Sequence, residues 1–257
     1  MTVRLSTGLR NAIDGRLGFA GAFAKCSINI YSGSQPATAD AAATGTLLGV
    51  VTLSSGELTK ETQAAQTITI SGSSGSVDTV DVGGLNIIPD GAVAFRTDAA
   101  TTAADLSASI NRNGLFTATV SGAVVTVKPR PGAGAGYNGV SFATTATTLS
   151  ATVGAATLSG GVSAVNALTL DEPSAGSIAK PSSAVWSFAG ITNGTAGWFR
   201  IVGSVADAGS AISAAPYYAR LDGSIATSGA DLNLSNIAIT TGSPNTIDAF
   251  SYTTPAA

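Results

Sequence analysis

Few residues in this sequence of 257 could carry chemistry, and they are widely spaced. Histidine is absent and Cys26 is the only cysteine. The sequence therefore excludes a Ser-His-Asp triad, a Cys-His dyad, an imidazole metal site and an intramolecular disulfide. Asp171 and Glu172 are the only adjacent acidic pair, but neighbouring side chains at a strand end point to opposite faces and do not flank one bond. We expect Cys26 to be a buried, inert thiol.

Two further patterns resemble ligand-binding motifs only in part. The stretch 134–139 fits the letters G-x-G-x-x-G, but strand-like residues follow it where a nucleotide site needs the start of a helix. Asp231, Asn233 and Ser235 alternate with leucines, which places their oxygens on one face of a strand. Calcium sites take six to eight oxygens from a folded loop. We expect a turn and an exposed polar strand face, and no cofactor, metal or catalytic residue.

Positive charge is concentrated at the N-terminus. Ser6 can cap a helix over 5–15 in which Leu5, Leu9 and Ile13 share one face. The first 25 residues contain one acidic residue, Asp14, and four basic ones. These basic residues are Arg4, Arg10, Arg16 and Lys25. They are candidates for docking an acidic partner surface; the alternative is the solvated face of a short helix.

The overall composition restricts the class of protein. Charged residues are 11% of the chain and the net charge is −3, which disfavours nucleic-acid binding. Hydrophobic residues are 44% and the mean hydropathy is +0.34, which argues against disorder. No apolar run approaches the ~18 residues of a membrane span, and we expect neither a signal peptide nor a membrane partner.

Most of the chain has the pattern of short strands separated by turns. Ile28 and Ile30 alternate with polar residues, as in a half-buried strand. Similar segments recur between Gly, Asn, Asp and Ser turns at a spacing typical of an antiparallel sandwich or jelly roll. We therefore predict a mainly β fold.

The middle of the chain predicts an inserted domain. Over residues 61–162, strand patterns flank one helical pattern in which Ala103, Leu106 and Ile110 share a face. We predict a β-rich α+β domain of the order β-β-β-α-β-β-β here. Residues 1–60 and 163–257 then form a discontinuous β-sandwich or jelly-roll-like scaffold with a short N-terminal helix.

The tryptophans belong to the scaffold segments. Trp186, Trp198 and Phe199 are large side chains that dominate either a core or an interface. Trp198 and Phe199 are adjacent, so in a strand one of them should face the core and the other could cover the insert or a partner subunit. All three are candidate interface aromatics.

Several segments resemble a family of tailed-bacteriophage virion proteins. The scaffold strings are RLSTGLRNAI at 4–13, INIYSGSQPATADAAATGTLLG at 28–49, NGTAGWFRI at 193–201 and LDGSIATSGADLNLSN at 221–236. Residues 80–139 resemble a small β-α-β module that recurs as an insertion in phage structural and tail proteins. The resemblance implies a non-enzymatic part of the virion, assembled in the bacterial host cytoplasm, and it carries over no catalytic residues.

Composition and resemblance together predict a structural protein. The leading hypothesis is a capsid decoration (cement) protein that binds the outer surface of the head and stabilises it, with the insert projecting outward. Its partners would be the major capsid protein or other virion proteins, and we expect a homo-oligomer because many copies add weak contacts together. A tail or collar component is one alternative, and a host-surface adhesin whose insert binds carbohydrate is another.

Overall fold

The computed structural model describes residues 3–15, 17–213 and 218–253. The chain divides into two compact units. The first unit comprises Met1–Asp14, Gly18–Glu61 and Ala164–Ala257, and the second comprises Gly15–Leu17 and Thr62–Ser163. Strands outnumber helices in the described residues, so the predicted mainly β fold is confirmed.

The helices and strands have the following bounds. In chain order they are β1 (Arg4–Leu5), α1 (Thr7–Asp14), α2 (Gly18–Ala22), β2 (Cys26–Ser32), β3 (Leu47–Leu53), β4 (Gln66–Ser71), β5 (Ser76–Val82), β6 (Leu85–Asn86), β7 (Val93–Ala94), α3 (Ala99–Asn111), β8 (Phe116–Ser121), β9 (Val124–Pro129), β10 (Phe142–Thr147), β11 (Ser150–Val153), β12 (Ser177–Ala179), β13 (Trp186–Ala189), β14 (Gly194–Gly203), β15 (Arg220–Ala226), β16 (Leu232–Asn233), β17 (Ala238–Ile239), β18 (Pro244–Ile247) and β19 (Ser251–Thr253). A short 3-10 turn, Gly134–Tyr137, lies between β9 and β10.

The first unit is built on one nine-stranded sheet of order β1-β15-β14-β2-β3-β13-β18, with β16 beside β15 and β17 beside β14. All these pairings are antiparallel except that of β15 with β16. β12 and β19 form a separate two-stranded sheet.

The two faces of this sheet differ in character. Ile28 of β2 lies opposite Ile201 of β14, which lies opposite Leu221 of β15, so one face is apolar and buried. One residue along each strand, Arg200 lies opposite Asp222, which places charged side chains on the other face. The unit therefore has an apolar core on one side of the sheet and buried polar groups on the other.

In its described residues, the second unit contains two four-stranded sheets and one α-helix. One sheet has the order β10-β5-β6 with β7 beside β5, and the other has the order β11-β4-β9-β8. Buried apolar residues from both sheets and α3 form its own core, including Ile68, Val80, Leu106, Ile110, Val125 and Phe142. The observed order is four strands, a helix and four strands, where three strands on each side were expected. Before the helix, the two-residue strands β6 and β7 each pair separately with β5. After the helix, β8, β9 and β11 belong to one sheet and β10 to the other, which makes four strands.

Helix α3 buries the apolar face that its sequence pattern predicts. Asp98 caps it, since its Oδ1 accepts a hydrogen bond from the Thr101 N–H at 2.7 Å. Ala103, Leu106 and Ile110 are fully buried on one face.

Candidate functional site: the N-terminal basic face and its buried support

The site begins with charged residues at alternating positions of neighbouring strands. Arg200 of β14 lies opposite Asp222 of β15, and Asp222 also lies opposite Arg4 of β1. Arg220, two residues before Asp222, lies on the same side of the sheet. We call the side chains of Trp198, Arg200, Arg220 and Asp222 the polar face.

Arg200 and Asp222 form a buried, two-point ion pair. Nε of Arg200 donates to Oδ1 of Asp222 and Nη2 donates to Oδ2, both at 2.7 Å. The two side chains are 1% and 0% exposed. Burial raises the pKa of Asp222 above its ordinary value, while the hydrogen bonds and charge of Arg200 oppose this effect. The attraction between two charges buried this deeply is largely offset by the cost of removing both from water.

Arg220 forms the second buried pair, with Asp207. Its Nε and Nη2 donate to the two carboxylate oxygens at 2.6 and 2.5 Å, and Nη2 also donates to the Ser210 carbonyl at 2.9 Å. Burial raises the pKa of Asp207, but hydrogen bonds from Arg220 and from the Gly209 N–H, with the charges of Arg220 and Arg200, outweigh burial and leave the pKa below its ordinary value.

Two loop segments contact the polar face. We call residues 37–43 and 207–212 the cover. The Ala41 carbonyl accepts a hydrogen bond from Nη1 of Arg200 at 3.1 Å. The two segments also bind each other, since the Ala43 N–H donates to the Gly209 carbonyl at 3.2 Å and the Ile212 N–H to the Asp40 carbonyl at 2.8 Å. The buried arginines therefore support the loops on this side of the sheet.

Ser6 attaches the N-terminal segment to β15. Its Oγ accepts from the Arg220 N–H at 2.9 Å and donates to the Tyr218 carbonyl at 2.8 Å. The same oxygen accepts from the Leu9 N–H at 3.1 Å, which confirms Ser6 as the cap of α1. Ser6 is fully buried, so one hydroxyl both begins the helix and holds it to the sheet.

Asp40 of the cover binds the N-terminus of α1. Its carboxylate oxygens accept from the Thr7 N–H at 3.0 and 3.1 Å, and Oδ2 also accepts from the Thr7 hydroxyl at 2.7 Å. A carboxylate at this end of a helix satisfies free N–H groups and complements the helix dipole. The position of α1 therefore depends on the position of the cover.

Two of the predicted basic contact residues come together. Arg4 is half-buried and its Nη1 donates to the Pro36 carbonyl, whereas Arg10 is exposed and its Nη2 donates to Oγ1 of Thr7 at 3.0 Å. Both line a depression of about 400 Å³. Its other lining residues are Leu5, Ala37, Thr38, Ala39 and Asp40. We call it the Arg4–Arg10 depression.

The other two predicted basic residues are not part of this site. Lys25, the residue before β2, is half-buried and does not line the depression. Arg16 lies outside the described residues.

The three candidate interface aromatics are core residues. Trp186, Trp198 and Phe199 are 1%, 0% and 1% exposed, so none offers surface to a partner. Trp198 stacks on Tyr31 with ring centroids 4.5 Å apart, and its Nε1 donates to the Thr44 carbonyl at 3.2 Å. The expectation that Trp198 and Phe199 divide between core and interface is corrected, because both faces of β14 are covered.

Cys26 is buried in the first unit, and the half-buried Lys60 lies within electrostatic range of it. Burial raises the pKa of the Cys26 thiol to about 12, in spite of the nearby lysines. Burial also lowers the pKa of Lys60, whose Nζ donates to the Gly203 carbonyl at 3.0 Å. The thiol is thus protonated and buried at neutral pH.

The partial ligand motifs have structural partners. Oδ2 of Asp231 accepts from the Ser224 N–H at 2.8 Å, and Oδ1 of Asn233 accepts from the Ala230 N–H at 3.1 Å. Gly134 begins the 3-10 turn, and Asp171 and Glu172 are exposed. Within the described ranges, no three cysteine or acidic side chains are grouped so as to hold a metal ion. None of the helices described here is long and apolar enough to cross a membrane.

The sequence patterns missed the charged residues of the polar face. Their signal is nevertheless present: in a chain with 11% charged residues, Arg200 interrupts an apolar run of β14, and Arg220 and Asp222 flank Leu221 in β15. Buried charges in such strands are normally paired.

Comparison with models of protein families gives no match to this chain. Comparison with curated proteins gives no match either.

Proposed function

We propose that this protein is a non-enzymatic structural protein of a tailed-phage virion, and that it decorates the outer surface of the capsid. The observation that carries the proposal is the Arg4–Arg10 depression, which is lined by the exposed Arg10 of α1 and the half-buried Arg4 of β1 on a supported face. The sequence resemblance to phage virion proteins supports the same role.

The chemistry of this face suits an acidic protein partner. Guanidinium groups bind carboxylates through paired hydrogen bonds. Asp40 lies in the same depression, but its oxygens already accept hydrogen bonds from Thr7. Arg10 is therefore the group best placed to meet a carboxylate on the capsid. One such contact is weak, and repetition over a lattice would make it effective.

A charge reversal at Arg10 tests the proposal. Purified heads of the phage that encodes this chain, stripped of it, are incubated with the wild-type protein or with Arg10→Glu. We expect Arg10→Glu to bind at least about tenfold more weakly, because apposed like charges cost several kcal/mol. Arg96→Glu is the matched control, since Arg96 is an exposed arginine of the second unit. Equal binding by both variants contradicts the proposed contact.

The location of the chain in the particle tests the proposed role itself. A decoration protein should be abundant on purified tailless heads, as measured by quantitative mass spectrometry. Its presence on isolated tails and absence from heads would overturn capsid decoration in favour of a tail or collar role.

A further inference from the structure

The charges beneath the cover determine where one of its segments lies. Asp207 accepts two hydrogen bonds from the Arg220 guanidinium, and its Oδ1 also accepts from the Gly209 N–H at 2.8 Å. Arg220 in addition holds the Ser210 carbonyl. Its side chain is 0% exposed and that of Asp207 is 4% exposed. One buried ion pair therefore fixes residues 207–210.

The same segment fixes the part of the cover that binds α1. Gly209 and Ile212 hydrogen-bond to Ala43 and to the Asp40 backbone. The Asp40 carboxylate in turn binds Thr7 at the start of α1. Residues just before the cover also accept the hydrogen bonds of Arg4, through the Pro36 carbonyl. An unbroken series of contacts thus joins the Asp207–Arg220 pair to both arginines of the depression.

We infer that the Asp207–Arg220 pair is a latch that positions the Arg4–Arg10 depression. While the pair is intact, the cover is closed and α1 is held on it. When the pair is broken, the cover detaches from the polar face and α1 loses its contact with Asp40, while Ser6 still holds the start of α1 to β15 and the strands stay paired with their neighbours. The strands have a separate support, since β14 is hydrogen-bonded to β2 and β15 along most of its length. The consequence for head binding rests on the proposed function; the opening of the cover does not.

We expect acid to open the latch by protonating Asp207, because the positive charges that face Asp207 stabilise only its ionised carboxylate. Arg220 and Arg200 of the sheet both act on Asp207, and Lys60 also lies within electrostatic range. The lowered pKa of Asp207 means that its stabilising contribution is complete above its unfolded-state pKa and is lost as the pH falls through the folded-state pKa. Asp222, which Arg200, Arg220 and Arg4 face, has a raised pKa and the opposite pH dependence. A variant at Asp207 is therefore needed to assign the opening.

Hydrogen exchange of the full chain at pH 7 tests the latch. In Asp207→Asn, we expect amides of residues 40–43 and 209–212 to lose protection by at least about tenfold, because one partner of a buried ion pair has lost its charge. Amides of β14 should keep wild-type protection, which shows that the sheet remains folded. Asp105→Asn is the matched control, since Asp105 pairs with Arg96 at the surface of the second unit. Unchanged protection of the cover in Asp207→Asn overturns the inference, and so does equal loss in the cover and in β14.

An acid titration of the wild-type protein provides a measurement without a mutation. The cover should lose protection at a higher pH than β14, and Asp207→Asn should remove this separate step. A single step shared by the cover and β14 overturns the latch. Head binding by Asp207→Asn should fall with the opening of the cover. If Arg10→Glu binds heads normally while the cover still opens in Asp207→Asn, the proposed contact at Arg10 fails and the latch stands. If the chain is absent from purified heads while the cover still opens in Asp207→Asn, the proposed function fails and the latch stands.

Discussion

At the residue scale, a few non-glycine residues adopt a positive backbone φ, which their residue types disfavour. Thr148 has φ +65° in the link between β10 and β11. The Leu149 N–H donates to the Thr147 carbonyl at 2.7 Å, so Thr148 is the central residue of a tight γ-turn. Positive φ is especially unfavourable for a β-branched residue. The second unit therefore carries local strain at an exposed turn.

Replacing Thr148 by glycine should stabilise the protein. Relief of backbone strain of ~1–3 kcal/mol exceeds the extra unfolded-state entropy of glycine, and we expect a net gain of about 1 kcal/mol. Thermal or urea unfolding measures the change. The matched control is Thr117→Gly, at an exposed position of β8 without positive φ, which should lower stability. A loss of stability in Thr148→Gly would contradict this account.

At the element scale, the cap of α3 gives a pH-dependent prediction. The hydrogen bond that the Thr101 N–H donates to Asp98 lowers the pKa of this carboxyl. The contribution of ionised Asp98 to the free energy of unfolding is therefore present above its unfolded-state pKa and is lost as the pH falls through its folded-state pKa. Asp98→Ala should lower the unfolding midpoint by a few degrees at pH 7, with little further cost in acid. Asp98→Asn should keep most of the stability, because asparagine also caps helices, but lose the pH dependence.

Differential scanning calorimetry of these variants at pH 7 and pH 3 checks the prediction. If Asp98→Asn and Asp98→Ala have the same midpoint at both pH values, Asp98 does not act as a cap. If wild type and Asp98→Asn respond equally to acid, another group causes the dependence.

Elements with local signals were predictable from the sequence, and long-range pairings were not. The α3 pattern contains its own cap and apolar face, and Ile28 and Ile30 show the alternation of β2. By contrast, Arg200 and Asp222 are 22 residues apart and meet only through strand register. Arg220 and Asp207 are 13 residues apart and likewise meet only in the tertiary structure. The basic residues of the depression were recognised by their charge, whereas the buried groups that position them depend on the tertiary structure.

At the scale of the whole molecule, each unit has the features of an independently folding domain. Eighteen buried residues form the core of the second unit, and the first unit has its own buried apolar sheet face. Within the first unit, Thr59 and Val165 exchange backbone hydrogen bonds at 3.2 and 3.1 Å. Within the second, Thr62 and Val162 do the same at 3.0 and 2.8 Å. The chain thus leaves and re-enters each unit at adjacent positions.

We predict that the chain can be separated at these positions into two folded proteins. One variant replaces residues 62–163 with a short Gly-Ser link, which antiparallel neighbours this close can accept. It should unfold in a single cooperative transition and retain the hydrogen-exchange protection of β14. The isolated segment 62–163 should also unfold cooperatively. If the link variant lacks a cooperative transition while residues 62–163 fold, the first unit needs the insert to fold; if residues 62–163 do not fold, that segment is not a domain. Normal head binding by the link variant would further localise the proposed capsid contact to the first unit, because Arg4 and Arg10 both remain in it.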